Sequence, residues 1–402
     1  MKIGMILDHY FPPDVRVEKE AISLINAGHE VYLLCFRKRN EKQAEILYKG
    51  IHLIKISASE PFIKKLRALT NTIFNIYPTY WAFFILRFVK KYKIEVLHIH
   101  DLYMLPAGFI ARNKLKRKLP IVGDLHENYA DALPFYRFSS TFPGNLLISY
   151  EKWKKTEKRL ISNLDYVITV VEEMKQRIKK FTDRHDNIYV VDNSEDIDEF
   201  LNYREDPSIL NRYPDKFIIS YIGGIDYHRG IDTIIEALVY LQPLENLLFL
   251  LIGEVKNMTK INTKITDLNV GNKIIFEGYS PRGEFQNYFR ISDIGLIPHL
   301  KTVQTDNSSP NKLYQYMLMG VPLIASNCTS IQNIVESNKT GLIYESGDAK
   351  DLAEKVQYLY DHPDQREILG KNGINTIRTK YNWRINTDKL KKIYQRVEKD
   401  FL

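Results

Sequence analysis

Cysteine is almost missing from the sequence: two residues in 402, Cys35 and Cys328. That scarcity excludes a disulfide-stapled scaffold and a cysteine-built metal centre. Cys35 sits within the apolar stretch 31–36, so a buried strand thiol in a reducing cytosol is expected. Long apolar runs are missing too. The most apolar stretch outside the candidate strands, 81–89, is too short to cross a bilayer, and Pro78 and Arg87 flank or interrupt it. Residues 1–11 read as a strand leading into a loop, not as a signal peptide. A soluble or membrane-peripheral cytoplasmic protein is expected. Glycine is sparse where a dinucleotide fingerprint needs it. Gly4 alone lies near the first strand, and no Gly-x-Gly-x-x-Gly follows, which disfavours a nicotinamide oxidoreductase. No metal-ligand spacing is recognisable, and nothing requires Asp226 or Asp306 to touch a metal. No nucleic-acid motif is recognisable either.

What is plentiful is apolar sequence, 44% of the chain, enough for a substantial core. Seven candidate strands run from 2–7 to 187–191, and six more from 217–222 to 341–344. Several are continuous apolar runs, as expected of parallel strands covered on both faces. Helical patterns alternate with them; one, 17–27, is closed by Gly28. The pattern predicts an α/β protein of two Rossmann-like domains, 1–195 and 216–380, with parallel sheets facing across a cleft. The polar stretch 196–215 reads as the linker, and 381–402 as a final helix. The net charge is +8, and the stretch 60–120 holds 12 Lys+Arg against 3 Asp+Glu. That patch suits nucleic acid, an anionic membrane, an acidic substrate or plain solvation.

Ligands of open parallel sheets bind beyond the carboxyl ends of the strands. At one such end, Gly223 and Gly224 follow strand 217–222 and permit close backbone approach. The helix start near 231 offers unpaired N–H groups, and Arg229 adds a forked charge suited to a diphosphate. Further on, Ser308 and Ser309 precede Pro310 and a helix carrying Asn311, Lys312, Leu313 and Gln315. The serines can cap that helix, Lys312 can add charge for a sugar phosphate, and Gln315 can reach a ribose. In the first half, Asp14 and Arg16, His98-Ile99-His100-Asp101 and Asp124-Leu125-His126-Glu127 stand at strand ends. His100 beside Asp101 suits acid–base work or an acceptor hydroxyl.

These motifs together resemble family-four retaining glycosyltransferases of the GT-B fold, over nearly the whole chain. His98-Ile99-His100-Asp101 is similar to the family's His-x-His-Asp/Glu element. Asp124-Leu125-His126-Glu127 resembles an element of a subgroup that builds surface polysaccharides and glycolipids. Ala27-Gly28-His29-Glu30-Val31, the segments 292–299 and 310–317, and Tyr381-Asn382-Trp383 are also similar. The resemblance implies that the second domain binds a nucleotide sugar and the first its acceptor, a glycan or lipid-linked hydroxyl. It implies that Gly223, Gly224 and Arg229 hold the diphosphate and that Gly253 and Glu254 lie beside the base. Asn307, Ser308, Ser309, Asn311, Lys312 and Leu313 would face the sugar and phosphates, and Gln315 the ribose. Asp14, Arg16, His100, Asp101, His126 and Glu127 would meet the acceptor, with His100, Arg229 and Asn307 catalytic. The last helix would return to the first domain. Transfer would retain configuration through same-face attack assisted by the leaving phosphate, with no protein nucleophile and no cofactor beyond the nucleotide sugar. The chain departs from the pattern in three places: the family's paired glutamates are Asn307 and Gln315, an expected Arg is Gly224, and the phosphate-binding Lys is Arg229.

A 2-epimerase of the same fold and a silent sugar-binding subunit are the competing functions. Phe62, Ile63, Leu66, Leu69 and Ile73 share a helical face, with Lys64, Lys65 and Arg67 off it. With the basic segment 112–118, that face suits either an anionic membrane surface or an ordinary surface helix.

Overall fold

Alternating strands and helices build two sheets, one in each of two units of the computed structural model. It describes every residue except 58–62, 64–65, 68–69, 71–74, 116, 137–138, 140, 143, 145–147, 226–228 and 256–257. Unit 1 comprises Met1–Asp192 with Asn386–Leu402, and unit 2 comprises Asn193–Ile385.

The unit 1 strands are β1 (Lys2–Tyr10), β2 (Glu30–Arg37), β3 (Glu45–Tyr48), β4 (Ile51–Ser57), β5 (Val96–His100), β6 (Ile121–Leu125), β7 (Tyr166–Thr169) and β8 (Ile188–Val190). They stand in the order β3-β4-β2-β1-β5-β6-β7-β8. Among the described strands of this sheet, only β3 is antiparallel to its neighbour. It is an edge strand that the sequence reading does not contain. Its turn puts Lys49 (φ 48°) and Gly50 (φ 83°) in the left-handed region, the geometry of a two-residue hairpin. Central strands β2, β5 and β6 are buried on both faces, and free Cys35 lies buried in β2. Helix α1 (Val15–Asn26) starts where the Asp14 carboxylate accepts from the Val17 N–H at 3.1 Å. Helix α2 (Ile76–Tyr92) buries Tyr77, Trp81, Ile85 and Phe88 against the same core.

Unit 2 contains β9 (Phe217–Ile222), β10 (Leu247–Ile252), β11 (Ile274–Gly278), β12 (Ile294–Ile297), β13 (Leu323–Ser326) and β14 (Gly341–Tyr344). All pair in parallel, in the order β11-β10-β9-β12-β13-β14. Helix α3 (Ile231–Tyr240) follows β9, and α4 (Asn311–Leu318) precedes β13. Residues 196–215 carry two short helices whose Phe200 and Ile209 are buried in the unit 2 core. The last helix, α5 (Trp383–Phe401), belongs to unit 1 from Asn386 onward. There Tyr394 is buried, and its hydroxyl lies 2.7 Å from His98 Nδ1.

Candidate functional site

Strand register assembles the unit 1 cluster. His98 and His100 alternate along β5, so both point to one face. In the parallel pair β5–β6, His100 stands opposite Asp124. His100 Nδ1 lies 3.2 Å from Asp124 Oδ2, and His126 Nε2 lies 2.7 Å from the same oxygen. From α1, Arg16 forks onto Asp124, Nε at 3.2 Å and Nη2 at 2.8 Å, and donates to the Val191 carbonyl at 2.9 Å. One helical turn on, Glu20 lies 3.0 Å from Arg16 and 3.4 Å from His98.

Burial opposes ionisation of Asp124, but Arg16 and His126 outweigh it and hold the carboxyl well below its usual range. Burial likewise opposes charge on His126, yet Asp124 and Asp101 raise it to about 9. Burial keeps His100 neutral and pushes Asp101 up to about 6. Glu20 is raised by burial and by Asp124. Glu20, His98, His100 and Asp124 offer donor atoms all within 4.8 Å of one another, a grouping that can hold a metal ion. The Arg16 guanidinium already supplies the compensating cation, touching both carboxylates.

The expected acceptor residues thus divide. His100 is 1% exposed and stands behind His126, whose side chain is 21% exposed. Asp101, with φ 69°, receives a hydrogen bond from Tyr103 at 3.2 Å and lies 3.8 Å from His126. Glu127 accepts from the Tyr136 hydroxyl, and Asp14 is spent as the α1 cap. Phe62, Lys64, Lys65, Leu69 and Ile73 lie outside the described residues. Ile63 is buried, and Arg67 sits over the Tyr103 ring at 5.2 Å.

In unit 2, glycine lets three chain segments approach closely. Gly253 has φ 145°, and a Cβ there would meet the Gly223 carbonyl at 2.0 Å. Gly223 has φ 138°, and a Cβ there would meet Lys312 Nζ at 2.9 Å. At Gly230, φ 70°, the clash would be with the Pro298 carbonyl at 1.7 Å. Beneath this turn Lys312 Nζ donates to the Tyr221 hydroxyl at 2.9 Å, which donates on to the Gly224 carbonyl at 2.9 Å. Arg229 Nη1 donates to His299 Nε2 at 2.7 Å. Burial, then Arg229, holds the Lys312 ammonium well below its usual range. A buried lysine whose charge is opposed in this way suits an anion, which would restore it.

The other unit 2 expectations are placed as follows. Helix α4 has no side-chain cap, because its N-cap is Pro310. Ser309 Oγ instead accepts from Tyr314 at 2.9 Å, and the Ser308 carbonyl accepts from Ser330 at 2.5 Å. Asn307 Nδ2 donates back to the Val303 carbonyl at 2.8 Å. Asn311 and Glu254 are exposed. Leu313 is fully buried in the core, so only its backbone is on offer to a ligand. Gln315 donates to Glu195 at 2.7 Å. Glu20, Tyr221, His299 and Glu195 are the residues the sequence reading missed. For Glu20 a signal existed: it stands at i+4 from Arg16 on one helix.

The family described as Glycosyltransferase Family 4 matches residues 15–199, and Glycosyl transferases group 1 matches 202–376. An uncharacterized glycosyltransferase of Methanocaldococcus jannaschii is 22% identical, over 92% of this chain and 91% of that protein. Sucrose-phosphate synthase from Thermosynechococcus elongatus superposes with a TM-score of 0.80 at 17% identity, covering 99% of each chain. Anabaena HepE, solved with UDP-glucose, gives 0.73 at 14% identity over 98% of this chain and 100% of its own.

Proposed function

This chain belongs to glycosyltransferase family 4, with the group 1 domain as its second half, and from that premise we propose that it moves a hexose or related sugar from a nucleotide-diphosphate sugar to a hydroxyl of a glycan or lipid-linked acceptor. One observation carries this reading. Lys312 Nζ is buried beneath the Gly223 turn beside Arg229, and its described hydrogen-bond acceptor is the neutral Tyr221 hydroxyl. A diphosphate supplies the missing negative charge. Arg229, Lys312 and the start of α3 stabilise it as it leaves, so in this reading no metal is needed.

The acceptor oxygen then bonds to the anomeric carbon on the face from which the diphosphate departs, and its proton passes to the departing phosphate oxygen. Configuration is retained without a protein nucleophile. His126 and Asp101 receive the acceptor hydroxyl in unit 1, and His100, Asp124 and Arg16 hold them in place. Incubation with a panel of nucleotide sugars tests the reading. The expected result is thermal stabilisation by one nucleotide family and slow hydrolysis of the donor, unchanged by EDTA. Conversion of the donor into an epimer without acceptor would reassign the protein to the 2-epimerases. Binding without hydrolysis or transfer to any acceptor would make it a silent subunit.

Among the described residues no helix is long and apolar enough to cross a membrane. The proposed contact with an anionic membrane is peripheral, through unit 1. It is supported by Ile76 and Phe83, 44% and 52% exposed on one face of α2 with Arg87 and Lys90. Flotation with phosphatidylglycerol vesicles but not neutral ones is expected; equal recovery from both would remove the membrane from the proposal.

A further inference from the structure

The amide of Gln315 is not free to turn. Its Nε2 donates to Glu195 Oε1 at 2.7 Å, and Glu195 is 4% exposed. A carboxylate oxygen only accepts, so the NH2 group faces Glu195 and the carbonyl Oε1 faces away. Glu195 is held in turn. Its carbonyl accepts from the Trp383 N–H at 3.0 Å, and two residues earlier Asn193 Nδ2 donates to the Ser309 carbonyl at 3.1 Å. The segment 193–195 is therefore fastened to α4 at its start and again one turn along it. Gln315 stands three residues beyond Lys312, on the same helical face.

We propose that Glu195 is a specificity-determining positioning residue: by fixing the Gln315 amide it presents a carbonyl acceptor to a ribose hydroxyl of the bound nucleotide. This rests on the reading of unit 2 as the nucleotide-sugar site. A ligand whose phosphates lie on Arg229 and Lys312 brings its ribose diol to the next turn of α4. The carboxylate behind the amide polarises the carbonyl and strengthens the bond it accepts. The pair Glu195–Gln315 thereby keeps, one side chain removed, the negative charge that Gln315 lacks where the family pattern has a glutamate.

The test is calorimetric titration of the full chain with UDP, GDP and ADP, then with the 2′-deoxy and 3′-deoxy forms of the best binder. The intact protein is expected to prefer the ribonucleotide over one deoxy form by about tenfold, the effect of leaving an acceptor unpaired. In Glu195→Gln the partner no longer dictates the amide's orientation, and the preference falls to about threefold or less. Gln315→Glu sets two carboxylates face to face and weakens binding by about 100-fold. The exchanged double variant, Glu195→Gln with Gln315→Glu, restores affinity to within about fivefold, since one carboxylate and one amide again pair. Undiminished discrimination in Glu195→Gln, or a double variant no better than Gln315→Glu alone, overturns the proposal. A purely structural Glu195 would lower Tm and leave discrimination intact. An intact protein that binds no nucleoside diphosphate would sink the nucleotide-site reading itself, a separate outcome.

Discussion

The two clusters of charge are built on opposite principles. In unit 1, buried Asp124 and Glu20 face half-buried Arg16 and a protonated His126, so attraction is satisfied within the fold. In unit 2, Lys312 and Arg229 approach one another, and each is hydrogen-bonded by a neutral group, Tyr221 and His299. A self-neutralised network holds geometry. Among the described residues no carboxylate pairs with these two cations, and an incoming anion would relieve the cost of burying Lys312. The difference is between a cluster whose charges pair within the fold and one that an added anion would stabilise.

The largest effect that would test this contrast is on the neutralised cluster. Asp124→Asn removes the buried carboxylate that Arg16 and His126 share, and about 3–5 kcal/mol of stability should be lost. Urea unfolding should show that loss while the affinity of unit 2 for nucleoside diphosphate stays within about twofold. A matching loss of affinity would erase the distinction. Lys312→Met should behave in the reverse sense. Removing a buried cation whose described partner is a neutral hydroxyl should leave stability equal or higher while diphosphate binding weakens by about 100-fold, as for a lost charged hydrogen bond. Parallel thermal melts and titrations decide it, and a large fall in Tm would show that Lys312 is structural.

The smallest effect is on pH. His126 is raised from 6.5 to about 9 in the folded chain. Its contribution to stability is therefore fully present below about pH 6.5 and lost as pH rises through about 9. Tm measured from pH 6 to 10 should fall more in the intact protein than in His126→Gln. Identical slopes would show that the imidazolium does not stabilise unit 1.

The sheets were legible because buried parallel strands are uninterrupted apolar runs. Strands β9, β10 and β14 run where the sequence reading puts them. β3 was not, because it alternates half-buried and exposed residues and depends on its turn. The glycine turn was legible because glycine marks close approach. The serine caps were a fair local reading that Tyr314, five residues further on, overrides. His100 was singled out for chemistry, yet sequence spacing does not show depth, and His126 lies in front of it. Glu195 fell in a stretch dominated by acidic and polar residues. Nothing local says that one such carboxylate is buried against an amide 120 residues later.

The return of residues 386–402 to unit 1 sets an order of events during synthesis. Unit 2 is one continuous stretch and can close as soon as it leaves the ribosome. Unit 1 must wait for the last stretch of α5 to bring Tyr394 to His98 and Asn386 to Asp192. Until then the partners of the Arg16–Asp124 cluster lie beneath an unfinished surface. A nascent chain stalled before residue 386 should therefore hold unit 2 folded while the histidine cluster of unit 1 is still incomplete.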